Sequence, residues 1–558
     1  MSVLSVDPKA GTTITTAVLD EVCNRLGVRI KDEEKEDYTK LLAVFDEGCQ
    51  EIMAMDDYIP AVDLVRFPRT KVYQPGNNDN NNNTSENALN AWAWRCSIKD
   101  TQPNNGILAG KTIALKDMIA VKDVPMLMGT EFVQGHVPNL DATVTTRVLE
   151  AGGHILGKAV CENLCHSATS HSAASGAVEN PHAKGYSSGG SSSGSGALVA
   201  SGEVDMSIGA DQGGSVRIPA TNCGIVGLKP TFGLIPYTGC ASNEATNDHL
   251  GPMSRSILDN AMLLQAIAGS DNIDDRSFAA PSPLTIPRYY QNLLLLPKAL
   301  PDDDDVAANQ SLSGMKIGII SESVMNNPLL DPRVQQCFLH AAEKFRALGA
   351  QVSQVSIPMH SLGPQIWTAI SKPGGHFNKM HNNYNGRRGH MMHELHALFS
   401  EALKNSPERW DQAMYVSSKN IHLNGAYAEM TYPSLHGKAT NLSRKLRDAY
   451  DVALQEYDVL LTPTLPYVAT SHCEPGATPL EQIKKQVGLV SNTCQFNQSG
   501  HPALAMPIGR LSPLEGPAAG NEHVKLPVGM QIVGKWWAEE TVYRVGYAWE
   551  QANDWKQM

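Results

Sequence analysis

Residues 187–231 constrain this chain more than any other stretch: SSGGSSSGSGALVASGEVDMSIGADQGGSVRIPATNCGIVGLKPT. Two glycine-flanked serine clusters lie inside it, Gly189-Gly190-Ser191-Ser192-Ser193-Gly194 and Asp211-Gln212-Gly213-Gly214-Ser215. Glycine costs about 1 kcal/mol against alanine in a helix interior. So dense a Gly/Ser text therefore suits a backbone that turns tightly and approaches a ligand closely. The stretch reads as a catalytic floor.

The second cluster carries the sharper chemistry. A strand over 204–209 would end in its glycine turn and aim several backbone N–H groups at one point. Such donors stabilise a developing oxyanion, and removing one typically costs about 10²–10³ in rate. Ser215 closes the turn as a candidate nucleophile, and Asp211 and Arg217 can pair beneath it. The bland reading of an isolated GGS is a turn with a solvated serine. A serine nucleophile needs a base, and no histidine stands nearby in sequence. Ser191 in the first cluster offers a relay, and Lys116, at the end of a predicted strand over 111–115, offers a base. A lysine acts as a base only when neutral, a state that burial favours. Taken alone, Lys116 reads as a surface lysine paired with Asp117.

Composition bounds the rest. The 558 residues are 42% hydrophobic and 18% charged, enough for a large core and too apolar for a disordered chain. A net charge of −12 argues against a nucleic-acid partner, which needs a basic face. The opening MSVLSVDPKAGTTITT has no basic segment followed by an apolar one, so no secretory signal is expected. No apolar run approaches the roughly 20 residues of a membrane helix. Ten cysteines without C-x-x-C spacing are expected as reduced thiols. The expectation is a cytoplasmic protein with no membrane partner, for which a homodimer is retained as an assembly state.

In chain order, Tyr38, Leu41, Leu42, Phe45, Cys49 and Ile52 recur at helical spacing, with the charged run Lys31 to Asp37 opening that helix. The tract Asn77 to Thr84 cannot bury anything and reads as a linker. It closes a helical N-terminal region, 1–90, ahead of a main domain, 91–558. From Asn105 the pattern becomes α/β. Asp141 is expected to cap a helix through Glu150, stopped by Gly152-Gly153. A strand over 154–160, a helix over 197–201 and a helix from a Ser256 cap to Ala268 follow. Residues 270–312, with Asp302 to Asp305, read as a long surface connection. A βαβ unit spans 315–357, and helices fill 390–455, so that about 310–455 forms a mainly helical insert. Late strands over 459–461, 503–507 and 528–533 and a helix from Glu539 to about Ala552 end the chain. The expected architecture is a mixed sheet covered by helices on both faces.

GKTIALKD from Gly110, GGSSSGSGA from Gly189, GADQGGSVRIPA from Gly209 and CGIVGLKPTFG from Cys223 together resemble the amidase signature family. Asn180-Pro181, GPMSRS from Gly251 and LPVGMQIVG from Leu526 extend the resemblance over most of residues 105–550. It implies hydrolysis of linear amides without a cofactor or metal. Ser215 would form the acyl-enzyme, Ser191 would be the bridging serine with a cis peptide bond, and Lys116 the terminal base. Backbone N–H groups of Gln212, Gly213, Gly214 and Ser215 would hold the oxyanion, and the backbone near Cys165 would line the carbonyl side. Ser188, Ser193 and Ser195 depart from the family pattern. The DQGGSVRIPA wording is similar to nitrile-pathway and aryl-acyl amidases and to urethanases, which split carbamates. Small aliphatic amides, anilides and ethyl carbamate are thus the expected substrates, with water as co-substrate.

Rival motifs are weaker. Gly190 to Gly194 matches the G-x-S-x-G elbow of α/β-hydrolases with Ser192 as nucleophile, but 181–186 makes a poor preceding strand. Ser313-Gly314-Met315-Lys316 matches S-x-x-K without a following K-T-G, and Gly224 to Lys229 does not complete a phosphate loop. His390, His393 and His396 recur every third residue beside Glu394; a polar helix is preferred to a metal site. Trp536-Trp537 reads as packing. The amidotransferase member of the family shares the motifs, as would a non-catalytic binding module. The acidic charge speaks against the first, and the retained Lys116, Ser191 and Ser215 against the second. Met126–Thr130, 360–440 and 470–490 are the expected pocket walls.

Overall fold

The computed structural model describes residues 5–76, 86–102, 105–133, 135–296, 311–325, 327–381, 387–404 and 407–558. The asparagine tract and the Asp302 to Asp305 run lie outside these residues. The chain divides into two compact units, Met1–Pro60 and Ala61–Met558. In the first, helices Thr16–Leu26 and Lys35–Met53 are joined by a Lys35–Asp20 ion pair at 2.9 Å. The acids of the predicted opening run form a short 3₁₀ turn, Asp32–Glu34, just ahead of the second helix.

The second unit is built on strands β1 (Thr70–Tyr73), β2 (Trp92–Ile98), β3 (Thr112–Lys116), β4 (His154–Ala159), β5 (Glu179–Asn180), β6 (Ala183–Ser187), β7 (Met206–Asp211), β8 (Val226–Lys229), β9 (His249–Ser254), β10 (Lys316–Ile320), β11 (Gln351–Val355), β12 (Val459–Pro463), β13 (Ala503–Leu511) and β14 (Leu526–Gly534). Twelve of them form one mixed sheet in the order β1-β2-β4-β3-β7-β9-β8-β13-β14-β12-β10-β11; β5 and β6 pair separately. Pairing of β1 with β2 places the residues just after Pro60 in this sheet. Every residue of β7, β8, β9, β12 and β14 is buried, as in a sheet covered by helices on both faces.

The local rules explain most element ends. Ser256 accepts the Asp259 N–H and caps the helix Ile257–Ile267. Asp331 caps Pro332–Ala347, with Pro332 in the first turn, where its missing N–H costs nothing. Asp141 does otherwise: helix Thr143–Glu150 starts after Ala142 without a side-chain cap. Asp141 instead takes Arg69 and the Lys122 N–H, because a guanidinium in reach outcompetes a helix amide for a buried carboxylate. The expected connection over 270–312 is also more structured, with a short helix Tyr289–Leu294 that buries Tyr289 and Leu293. Among the described residues no helix is long and apolar enough to cross a membrane.

One feature of the sheet positions the chemistry. β3 runs parallel to both β4 and β7, with Leu115 opposite Lys158 and Ile208. The three strands therefore end at one edge, and ligands of open α/β sheets sit outside such carboxyl ends.

Candidate active site

Lys116 is the last residue of β3 and 1% exposed. Its Nζ donates to Ser191 Oγ at 2.8 Å and to the Ala210 carbonyl at 3.4 Å. Parallel pairing of β3 with β7 brings it there, because both strands reach the same edge in register. Asp117 points away and pairs with Lys158 on β4 at 3.0 Å, while accepting the Leu127 and Met128 amides. The surface Lys116–Asp117 pair is thus replaced by two buried partnerships. Burial pushes the Asp117 carboxyl up, against the pull of Lys158 and its hydrogen bonds.

Ser191 follows a cis Gly190–Ser191 peptide bond and precedes helix Ser193–Ser201. The Ser191 carbonyl accepts from Glu162 N at 3.2 Å, and Ser192 N donates to the Ser215 carbonyl at 3.3 Å. The two serine clusters are therefore stitched together by backbone. Ser188, Ser193 and Ser195 are all buried. Ser188 and Ser193 donate to the carbonyls of Val178 and Val160, so these departures turn into the scaffold and not toward the cavity.

The Asp211–Ser215 turn is held from below and from one side. Arg217 and Asp211, both fully buried, form a two-pronged pair: Nη2 to Oδ1 at 2.8 Å and Nε to Oδ2 at 3.0 Å. Burial by itself would raise the Asp211 carboxyl, but Arg217, Asn497 and the Val216 amide hold it well below the usual carboxylate range. Arg217 also donates to Thr493 O, Gln531 Oε1 and Asn497 Oδ1, tying the turn to helix Cys494–Ser499 and to β14. From the side, Trp367 Nε1 donates to Gln212 O at 2.9 Å and Thr493 Oγ1 to Gly213 O at 2.6 Å. A Cβ on Gly213 would lie 2.6 Å from the Trp367 ring. One on Gly214, at φ +137°, would lie 2.5 Å from Thr493 Oγ1. Only glycine fits both places.

The amides divide into two groups. Gly214 N–H donates to Asp211 Oδ1 at 2.7 Å, which corrects its expected place among the oxyanion donors: it serves the frame. The amides of Gln212, Gly213 and Ser215 donate to no protein acceptor among the described residues. Replacing Arg217 by methionine leaves Asp211 buried and uncompensated, so stability falls by about 3–5 kcal/mol. Urea unfolding measures the loss, and Asp211→Asn in the same chain restores part of it.

Ser215 opens on a cavity of about 240 Å³ shared with Gln212, Gly213 and Cys165. Cys165 sits in the left-handed region at φ +61°, and its carbonyl accepts Asn243 Nδ2 at 3.4 Å. The Cys161 thiol beside it holds the Cys165 thiol below the usual thiol range. Two of the three expected walls line this cavity: Trp367 and Lys372 from helix Gly363–His381 and Ile421 from Val416–Thr431 belong to one, Ile483 and Val487 to the other. The third does not. Leu127, Gly129 and Thr130 line a separate cavity beside Asp117, because that loop is tied by its amides to the Asp117 carboxylate. Trp367, Lys372, His166 and Asn243 carried no sequence signal; Gln531 stood within LPVGMQIVG, which joins the expected Asp211–Arg217 pair as a pointer to the Arg217 network.

The other candidates fall apart in space. Ser192 is fully buried, its hydroxyl donating to Ala210 O and accepting from Ala210 N. A strand, β6, does precede it, contrary to the expected poor strand, but it pairs with β5 and bridges from Tyr186 to Ser471, outside the large sheet. Ser313 and Lys316 are exposed, Lys316 opening β10. His390 precedes helix His393–Lys404, so the three histidines do not share one helix, and His396 packs against Phe399. Among the described residues no group of three or more His, Cys, Asp or Glu side chains is placed to hold a metal ion. Trp536 meets Trp537 edge to face and lies under Arg447.

Comparison with known proteins agrees with this geometry. The amidase family model matches residues 67–543. An enantioselective amidase of Rhodococcus rhodochrous is 38% identical over 495 residues, covering 87% of each chain. The A-type chain of a glutamyl-tRNA(Gln) amidotransferase from a Cyanothece species is 32% identical over 453 residues, covering 81% of this chain and 85% of its own. A bacterial aryl acylamidase structure of the amidase signature family superposes with a TM-score of 0.65 at 23% identity, covering 82% and 85% of the two chains.

Proposed function

The chain belongs to the amidase signature family, and from that membership we propose that it cleaves linear amides through Ser215, Ser191 and Lys116. Lys116 takes a proton from Ser191 as Ser191 takes one from Ser215. Ser215 Oγ attacks the carbonyl, and the C=O electron pair moves onto oxygen facing the free amides of Gln212, Gly213 and Ser215. The tetrahedral adduct collapses, the C–N bond breaks, and Ser191 protonates the departing nitrogen as Lys116 returns its proton to Ser191. Water then attacks the acyl-enzyme, passing a proton to Ser191 and on to Lys116; the second adduct collapses, the ester bond breaks, and the relay returns the proton to Ser215 Oγ as the acid leaves.

The observation that carries this reading is the buried 2.8 Å hydrogen bond from Lys116 Nζ to Ser191 Oγ. A binding module has no need to bury an unpaired amine on a hydroxyl, since such burial costs stability. A cavity of about 240 Å³ favours small acyl groups, being below the span of roughly 300–1,000 Å³ usual for drug-sized ligands. Small aliphatic amides, anilides such as acetanilide, and ethyl carbamate meet that limit and share the attacked carbonyl. Kinetics on the three side by side rank them. A fluorophosphonate probe tests the nucleophile: mass spectrometry should place the adduct on Ser215, and folded protein left unmodified would favour a binding module. Co-purification with partner chains and tRNA would instead revive an amidotransferase role.

A further inference from the structure

The cavity that holds Ser215 has an unbalanced charge. Lys372, half-buried on helix Gly363–His381, lines it, and no Asp or Glu does. Lys372 makes no ion pair or hydrogen bond to protein among the described residues. Its neighbours cannot supply a counter-charge. His166, on the same wall, is kept neutral by burial first and then by nearby cations, Lys372 among them. Burial alone brings the Lys372 amine down to about 8, so near neutral pH it is mostly a cation without an anion. A cation on a cavity wall that supplies no anion is stabilised when a ligand brings the opposite charge to it.

We propose that Lys372 is a specificity residue that receives a carboxylate of the substrate, so that the preferred substrates are amides that also carry an acid group. The monoamides of short dicarboxylic acids have this chemistry. Their carbonyl meets Ser215 while the carboxylate meets Lys372, both of which line the one cavity. This inference rests on the amidase reading of Ser215.

The test compares succinamate, glutaramate and adipamate with butanamide, pentanamide and hexanamide, at neutral pH and fixed ionic strength. In the wild-type enzyme at least one acid amide should exceed its neutral partner in kcat/KM by about tenfold, as expected of a charge-assisted hydrogen bond. Lys372→Met should erase that preference by raising KM for the acid amide, leaving kcat and the neutral amides within about twofold. Lys372→Arg should recover part of it. A wild-type enzyme that cleaves the neutral amides and shows no preference for the acids overturns the inference and leaves the amidase reading standing; this comparison needs no variant to fold. A Met variant that slows both series alike makes Lys372 structural and overturns it too. A wild-type enzyme inactive on both series that still cleaves acetanilide overturns the inference alone; one inactive on acetanilide and ethyl carbamate as well removes the amidase reading, and this inference with it.

Discussion

Ser215→Ala lowers kcat for amide hydrolysis by about 10⁴–10⁶-fold, the range seen when a serine nucleophile is removed from an acyl-transfer triad. The alanine chain folds as before. The Ser215 hydroxyl makes no hydrogen bond to protein among the described residues, and the turn around it is held by other groups. Its removal should therefore shift stability by no more than about 0.5 kcal/mol. Substrate KM should also change little, since the three free amides and the cavity walls stay in place. The measurement is a steady-state assay with an unfolding curve on the same preparation. Retention of a tenth or more of the wild-type kcat would remove Ser215 from the chemistry.

Lys116→Met has the next largest effect, a fall of about 10²–10⁴ in kcat, the usual worth of general acid–base catalysis. Methionine keeps the length of the stem but cannot accept the Ser191 proton. The substitution also takes a buried amine out of a site 1% exposed, so the variant should be at least as stable as the parent. Full activity in Lys116→Met would contradict the relay. Ser192→Ala serves as the control: it breaks two hydrogen bonds to Ala210 and costs stability, but the protein that folds should keep its kcat.

Much of the fold was readable locally. Ser256 and Pro332 announce their helices because capping and the first-turn tolerance for proline depend on a few adjacent atoms. Strands β12, β13 and β14 showed as apolar runs because both of their faces are covered. Asp141 misled for the complementary reason. It has the right residue type in the right place for a cap, but its partner Arg69 comes from far away in sequence.

The same division runs through the site. The sequence by itself determined the two glycine-serine turns, because the left-handed φ that Gly189 and Gly214 adopt disfavours any side chain. Through the family resemblance it also singled out Lys116, Ser191 and Ser215. Only the tertiary structure decided that Lys116 leaves Asp117 to Lys158 and reaches Ser191, 75 residues away, since that choice follows from the parallel register of β3 with β4 and β7. It likewise decided that the Gly214 amide turns inward to Asp211 while its neighbours stay free, and that Trp367 and Lys372 face the cavity. Backbone turns are chosen by short-range sterics and are written residue by residue. Partners and pocket walls are chosen by which strand edges and inserted helices meet, and no local stretch of sequence encodes that meeting.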